Sequence, residues 1–373
     1  MRFRIAIWGK CTVSPMRRPW AKASAPDQVA TAAPEMSVPV MYGNGLHLPV
    51  YPAQVPEILE TLRAPALPGN AGLPDNEGVF CVDWAGIRTR IAMLPWAPIR
   101  FAGTTRARIP IPSDGYRSEA EEYVGLALSL FNDKETYRVV EVGAGWAPWA
   151  VMGIVVARRQ GKRASGIAVE ADSLRATWCM QHAADNNVDA ELISGTPTQI
   201  AAALAASTAE LRVVQAAGWT SLTTLRFPVL DDGDMGGAVN EAVTPEMDYR
   251  GAHLEHFDVP TVTLEALLLG EESTDLLHVD LQGMELEVIV PGTDLIESKV
   301  RFMAVGTHNR YVEGQLQEHF LKREWALLME SPSTSVFDGV RPTLTGFTTQ
   351  DGNQLWANSR FRDTPPVIYR NRP

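Results

Sequence analysis

YRVVEVGAGWAPWAVMGIVVARRQGKRASGIAVEAD, residues 137–172, reads as strand, glycine turn, helix, strand and acidic residue. Residues 138–142 are a short β-branched run, the composition of a strand buried on both faces of a parallel sheet. Gly143-Ala144-Gly145 follows at once. Glycine has no Cβ, so the backbone there can turn tightly and lie against a ligand. Residues 148–159 carry apolar groups at helical spacing, and Pro148 suits a first helical turn. Residues 166–169 form a second strand ending in Glu170. Such a unit holds a nucleoside at the carboxyl ends of its strands, and the acidic tip of the second strand grips the ribose hydroxyls.

The nucleoside is narrowed by what the turn lacks. A dinucleotide fingerprint wants a third glycine, and Pro148 stands in that place; no G-x-x-x-x-G-K-[ST] occurs. An E-x-G-x-G turn followed by an acidic strand end fits S-adenosylmethionine, which has a ribose but no phosphate. Glu141 is placed to face that cofactor's cationic amino-acid end. The expected cofactor set is Glu141, Gly143, Ala144, Gly145, Trp146, Glu170, Ala171 and Asp280. The plainer alternative is a structural β-α-β crossover whose glycines serve packing alone.

Composition bounds the rest. Of 373 residues, 45% are hydrophobic and 21% charged, as in a soluble globular protein of one large or two ordinary domains. No apolar run is long enough to span a membrane, and the basic start is followed by too few apolar residues for a secretory segment. Cys11, Cys81 and Cys179 are sparse and lack metal spacing, which points to reduced thiols and a cytoplasmic setting. A formal charge of −11 argues against sequence-independent nucleic-acid binding. Basic clusters at Arg17-Arg18 and from Arg158 to Arg163 read as solvated surface.

The chain divides into a flexible Pro/Ala-rich arm (1–45), a small β-rich accessory region (46–117), a main domain (118–360) and a tail (361–373). Within the accessory region, residues 79–83 and 87–93 suggest a hairpin around Trp84-Ala85-Gly86. A helix over 118–131 is expected to be capped by Ser118, with Glu121 completing a capping box. A second over 171–186 has Asp172-Ser173 at its start. The loop 230–246 contains Asp231-Asp232-Gly233-Asp234 but matches no calcium-loop pattern, so no metal site is expected. DLLHVDL, residues 275–281, is a buried strand with Asp280 near its carboxyl end, where ligands collect in an open α/β sheet. Residues 345–349 and 354–358 suggest an antiparallel closing pair.

Four stretches together resemble the FkbM-type methyltransferases. They are VVEVGAGWAPWAV (139–151) with VEAD (169–172), LLHVDLQGMELEVI (276–289), VGTHNRYVEGQL (305–316) and DGNQLWANSR (351–360). The resemblance spans roughly residues 118–360. It implies a class I, Rossmann-like fold: a doubly wound, mostly parallel seven-stranded sheet, helices on both faces, one reversed edge strand. It implies S-adenosylmethionine as donor and a hydroxyl on a sugar, glycan or small molecule as acceptor. Two residues depart from the family pattern: Pro148, where glycine or a small residue is common, and Gln282, where glutamate is commoner.

Methyl transfer to a hydroxyl requires alignment and removal of a proton. The candidate bases are His308, Asp280 and His278. Histidine titrates near neutrality, and His308 follows a strand end. Alternation puts His278 and Asp280 on one side of their strand. Gln282, Glu285 and Arg310 are candidate substrate contacts. Trp146 and Trp149 flank the turn, where an indole can cover a ligand ring; Trp146, in the loop, is the better placed, packing of the helix is the alternative for Trp149, and Trp178 reads as core. The rival functions are a nucleoside-binding protein without catalysis and an NAD-dependent oxidoreductase, the latter disfavoured by the missing third glycine. The expected partner is the acceptor, with no nucleic acid and no membrane span.

Overall fold

The computed structural model of the chain describes residues 54–68, 79–94, 96–239, 242–244, 247–253, 255–270, 273–323 and 325–361. The expected arm, and the expected tail beyond residue 361, lie outside them. The centre is an eight-stranded sheet. Its strands are β1 Thr136–Val142, β2 Arg163–Glu170, β3 Ala190–Ile193, β4 Leu211–Gln215, β5 Thr274–Val279, β6 Val300–Thr307, β7 Trp325–Ser331 and β8 Gly352–Asn358. Their order is β7-β8-β6-β5-β1-β2-β4-β3, and every strand but β8 runs the same way.

Period-two alternation splits the core between the two faces. Tyr137 and Val139 of β1, Ala168 of β2 and Leu276 of β5 pack on one face, against α1 Ala120–Leu130, α2 Pro148–Arg159 and α3 Ser173–Asp185. Val140, Ile167 and Leu277 pack on the other, against α4 Pro197–Ala206, α5 Glu285–Ile289, α6 Thr293–Lys299 and α7 Arg310–Leu321. Each such aliphatic side chain contributes about 1.5–3 kcal/mol when fully buried. Residues Val55, Leu59, Leu62 and Trp84, from the region N-terminal to α1, belong to the first of these cores. The Trp84 indole donates to the Leu59 carbonyl at 3.2 Å and meets Tyr123 of α1 edge-on. In that region Phe80–Asp83 and Arg88–Arg90 form an antiparallel hairpin, with Thr105–Arg106 parallel on the other side.

Four expectations change. The sheet has eight strands rather than seven, because Ala190–Ile193 adds a parallel edge strand beside β4. The reversed strand is not at the edge: β8 lies between β6 and β7. Its seven residues are all buried, with Leu355 and Ala357 in one core and Trp356 in the other, as an interior strand requires. Residues 345–349 do not pair with β8; Thr348–Gln350 pairs with Thr334–Ser335. Ser118 does not cap α1, whose N-cap is Glu119 without a side-chain bond. The carboxylate of Asp114 instead collects the N–H groups of Tyr116, Arg117 and Ser118. Asp172 does cap α3, accepting from the Arg175 N–H. Among the described residues no helix is long and apolar enough to cross a membrane.

Strand order reverses between β1 and β5, which opens a crevice at their carboxyl ends. At the opposite ends a buried charge ties the same strands together. Asp275 accepts from Arg301 Nη1 and from the Arg138 main-chain N–H, both at 2.9 Å. Truncating one partner of such a buried pair costs about 3–5 kcal/mol. Asp275→Ala should therefore lower the unfolding free energy by about that amount in denaturant titrations. A loss no larger than that of a surface substitution would show the pair to be idle.

Candidate functional site

The crevice holds a cavity of about 250 Å³, lined by the glycine turn, the tips of β1, β2, β4 and β5, and the loop after β5. The turn depends on close approach. Gly143 has φ +82°, and a Cβ built on it would stand 1.7 Å from the main-chain oxygen of Asp280. Only glycine lets the end of β1 and the end of β5 meet there. Ala147, also in the left-handed region, leads into Pro148 at the first turn of α2.

Glu170, at the tip of β2, lines the cavity. Its carboxylate accepts from the N–H of Gly145 and from that of Asp172, each at 2.8 Å. Burial pushes its pKa up to about 7, against the pull of those two donors. Glu141 also lines the cavity and caps α2, accepting from the Ala150 N–H at 2.8 Å. Burial raises it to about 7 as well. Ala144, Ala171, Ala216 and Ala217 keep the walls low, and Phe227, Leu230 and Met284 make them apolar.

Register places His278 beside Glu141, on the face covered by α1. His278 Nε2 donates to Glu122 Oε1 of α1 at 2.6 Å, while Nδ1 is buried without a hydrogen bond among the described residues. Both residues line the cavity. Burial works against charge on His278, but the hydrogen bond and charge of Glu122 outweigh it and raise the imidazole above its ordinary value. Trp149 packs between this ring and Tyr123.

His308 is elsewhere. A place just after a strand end suggests exposure, but His308 is only 2% exposed and does not line the cavity. Its Nδ1 donates to Glu285 Oε1 at 2.9 Å, and its Nε2 lies 3.3 Å from Asp280 Oδ1. Burial disfavours its charge, yet the carboxylates of Glu285 and Asp280 hold it up to about 10. Glu285 is fully buried and accepts from the N–H groups of Leu281 and Gly283, so it braces the loop after β5 rather than facing a substrate. Asp280 and Gln282 do line the cavity, joined by Gln282 Nε2 donating to Asp280 at 3.2 Å. Arg310 is directed to Glu313 with a side chain 64% exposed, away from the cavity.

The cavity thus gathers His278, Asp280, Glu141, Gly143, Ala144, Gly145, Trp146, Glu170, Ala171 and Gln282, and leaves out His308, Glu285 and Arg310. Sequence reasoning passed over Glu122, Arg175 and Asp351, which also line it. Glu122 had a signal: it is a carboxylate in a helix whose every residue is buried. Arg175 donates to the carbonyls of Asp231 and Asp234, drawing the acidic loop to the cavity, while the Asp234 carboxylate pairs with Arg250.

These features define a doubly wound α/β protein with an open cleft at its switch point. The methyltransferase FkbM domain matches residues 153–333. A protein of Jannaschia sp. (strain CCS1) with the name "Putative methyltransferase" is 30% identical over 227 residues, 60% of this chain and 74% of that one. The chain belongs to the FkbM methyltransferase family. Among solved structures, ribosomal protein L11 methylase from Lactobacillus delbrueckii subsp. bulgaricus matches over 65% of this chain and 80% of its own, at 9% identity and TM-score 0.32. The N-terminal domain of human METTL16 matches over 62% and 65%, at 12% identity and TM-score 0.30. Scores of that size add nothing to the assignment.

Family membership implies S-adenosylmethionine as methyl donor, and the cleft's residues fit it. Low alanine walls leave room at the glycine turn, and several carboxylates face a cavity that would take a cationic ligand. Gly143→Ala should both destabilise the fold and reduce donor affinity at least tenfold by calorimetry. Gly161→Ala is the control: φ is +79° there too, but nothing lies within 4 Å. It should carry only the left-handed strain, about 1–2 kcal/mol. Equal effects of the two substitutions would show that the contact with Asp280 is not required.

Proposed function

We propose that the protein transfers a methyl group from S-adenosylmethionine to a hydroxyl oxygen of a sugar, glycan or other small-molecule acceptor. The observation that carries this reading is the Glu170 carboxylate in the cavity wall, bonded to the N–H of Gly145. A ribose needs such an acceptor beside a turn that can lie against it. The charge balance supports the choice of acceptor. Glu122, Glu141, Glu170, Asp280 and Asp351 line the cavity. Arg117 and Arg175 line it too, but each is paired with an aspartate, Asp83 at 2.8 Å and Asp172 at 3.1 Å. Such a lining favours a cationic donor and a neutral hydroxyl, and disfavours a phosphodiester chain.

When bound, the donor supplies an electrophilic methyl group on a sulfonium. The chain's own residues bind, orient and move a proton. Glu170 would accept the ribose hydroxyls, and Gly143, Ala144 and Gly145 would line the nucleoside. Glu141 and Asp280 would set negative charge toward the donor's amino end. Trp146, in the wall beside Trp96, closes one side against water. His278 takes the acceptor's proton on Nδ1, while Glu122 holds Nε2–H and stabilises the resulting imidazolium.

Incubation with S-adenosylmethionine and a panel of hydroxyl acceptors should yield a product one methyl heavier by mass spectrometry. His278→Ala should lower kcat by about 10²–10⁴-fold, the range for a positioned base. Donor binding with no methylated product from any acceptor would instead indicate a nucleoside-binding protein. Donor affinity should also depend on pH. Only the ionised Glu170 can accept two hydroxyl hydrogens, and its pKa is raised to about 7. Affinity should therefore rise with pH through that value, on the order of tenfold between about pH 6 and pH 8. Glu170→Ala should reduce this dependence to the share carried by Glu141, which also titrates near 7, and cost about 1–3 kcal/mol. A flat profile in the unaltered protein would refute the ribose assignment.

A further inference from the structure

We propose that Asp280, His308 and Asp351 form a site for one divalent cation, with Glu285 as the residue that orients the histidine. The inference rests on the preceding reading only for the cation's purpose, not for its binding.

The geometry begins with His308, which follows β6 and is 2% exposed. Its Nδ1–H is committed to Glu285 Oε1 at 2.9 Å. The same Glu285 oxygen is fixed by the N–H groups of Leu281 and Gly283 at 3.0 Å. A carboxylate on one ring nitrogen, itself held by other donors, is how proteins aim the opposite nitrogen of a histidine at a metal. Here that nitrogen, Nε2, is buried and makes no hydrogen bond among the described residues. It points at carboxylates: Asp280 Oδ1 at 3.3 Å and Asp351 Oδ2 at 4.0 Å. One donor atom from each of Asp280, Glu285 and His308 lies within 4.8 Å of the others, and Asp351 joins this group through its 4.0 Å approach to Nε2.

The separations of the Asp280 and Asp351 oxygens from Nε2, 3.3 and 4.0 Å, suit shared ligation. Two donor atoms each about 2.1 Å from one ion stand about 3.0–4.2 Å apart for angles from square to linear. One imidazole and two carboxylates, without a thiolate, favour an ion such as Mn²⁺. Asp280 already receives one contact at Oδ1, from Gln282 Nε2 at 3.2 Å. The absence of a side chain at Gly306 gives the Asp280 carboxylate its place, since a Cβ there would stand 2.9 Å from Oδ2. Asp280 and Asp351 both line the cavity, so positions left open on the ion face it. There the ion would hold an acceptor that offers two neighbouring oxygens, such as a vicinal diol. An ion on Nε2 must displace the proton that the neighbouring carboxylates hold there, so binding strengthens as pH rises.

The test is Mn²⁺ titration of the chelator-treated full chain, followed by electron paramagnetic resonance and calorimetry. One ion per chain is expected. Asp351→Asn, at an exposed side chain, and His308→Gln should each weaken Mn²⁺ binding at least tenfold without changing the circular dichroism spectrum. Should His308→Gln fail to fold, Asp351→Asn alone decides. No stoichiometric Mn²⁺ in the unaltered protein, or an affinity that neither substitution changes, overturns the proposal. Neither donor nor turnover enters this measurement, so its failure is distinct from failure of the methyl-transfer reading.

Discussion

The site depends on one close contact, between the α-carbon of Gly143 and the main-chain oxygen of Asp280. It closes the gap between β1 and β5 at the point where the strand order reverses. The Asp280 N–H completes the join by donating to the Val142 carbonyl at 2.9 Å. One side of this contact leads into the glycine turn and α2. The other leads into Asp280, Gln282 and the braced loop above α5. The part of the cavity that suits a nucleoside and the part open to an acceptor are thereby held at a fixed separation by backbone, not by side chains.

Buried glutamates stiffen what that contact joins. Glu141 caps α2, Glu170 ties the turn to the start of α3, and Glu285 spans the loop after β5. Each satisfies main-chain N–H groups that would otherwise be left without partners at the end of a strand. Burial makes their charge costly, which is why Glu141 and Glu170 titrate near 7. Two of the three also line the cavity, so the groups that organise the backbone are the groups a cationic ligand would meet. Stability and binding draw on the same carboxylates here, and a substitution at either one is expected to disturb both.

The central β-α-β unit was legible because its information is local. A β-branched run, two glycines and an acidic strand end lie within residues 137–172, and the structure makes each of them what its type suggests. What depended on distant partners was not legible. His308 follows a strand end, which suggests exposure, yet Glu285 from another element and the cover of residues 348–351 bury it. Arg310 sits two residues further on, at the exposed start of α7. β8 was read as half of a local hairpin because its two-sided burial, Leu355 against one core and Trp356 against the other, appears only when β6 and β7 close around it. Glu122 acquired its role from a histidine 156 residues away. Alternation did place His278 and Asp280 on one side, but could not say which groups would face them.

Where the nucleoside sits is tested most directly by a crystal structure of the protein with S-adenosylhomocysteine. The expected result is a ribose whose hydroxyls lie about 2.6–3.2 Å from the Glu170 carboxylate, with the adenosine along Gly143, Ala144 and Gly145. A nucleoside bound elsewhere, or a cleft closed by Trp146 and Met235 with Glu170 turned only to its own backbone, would contradict it.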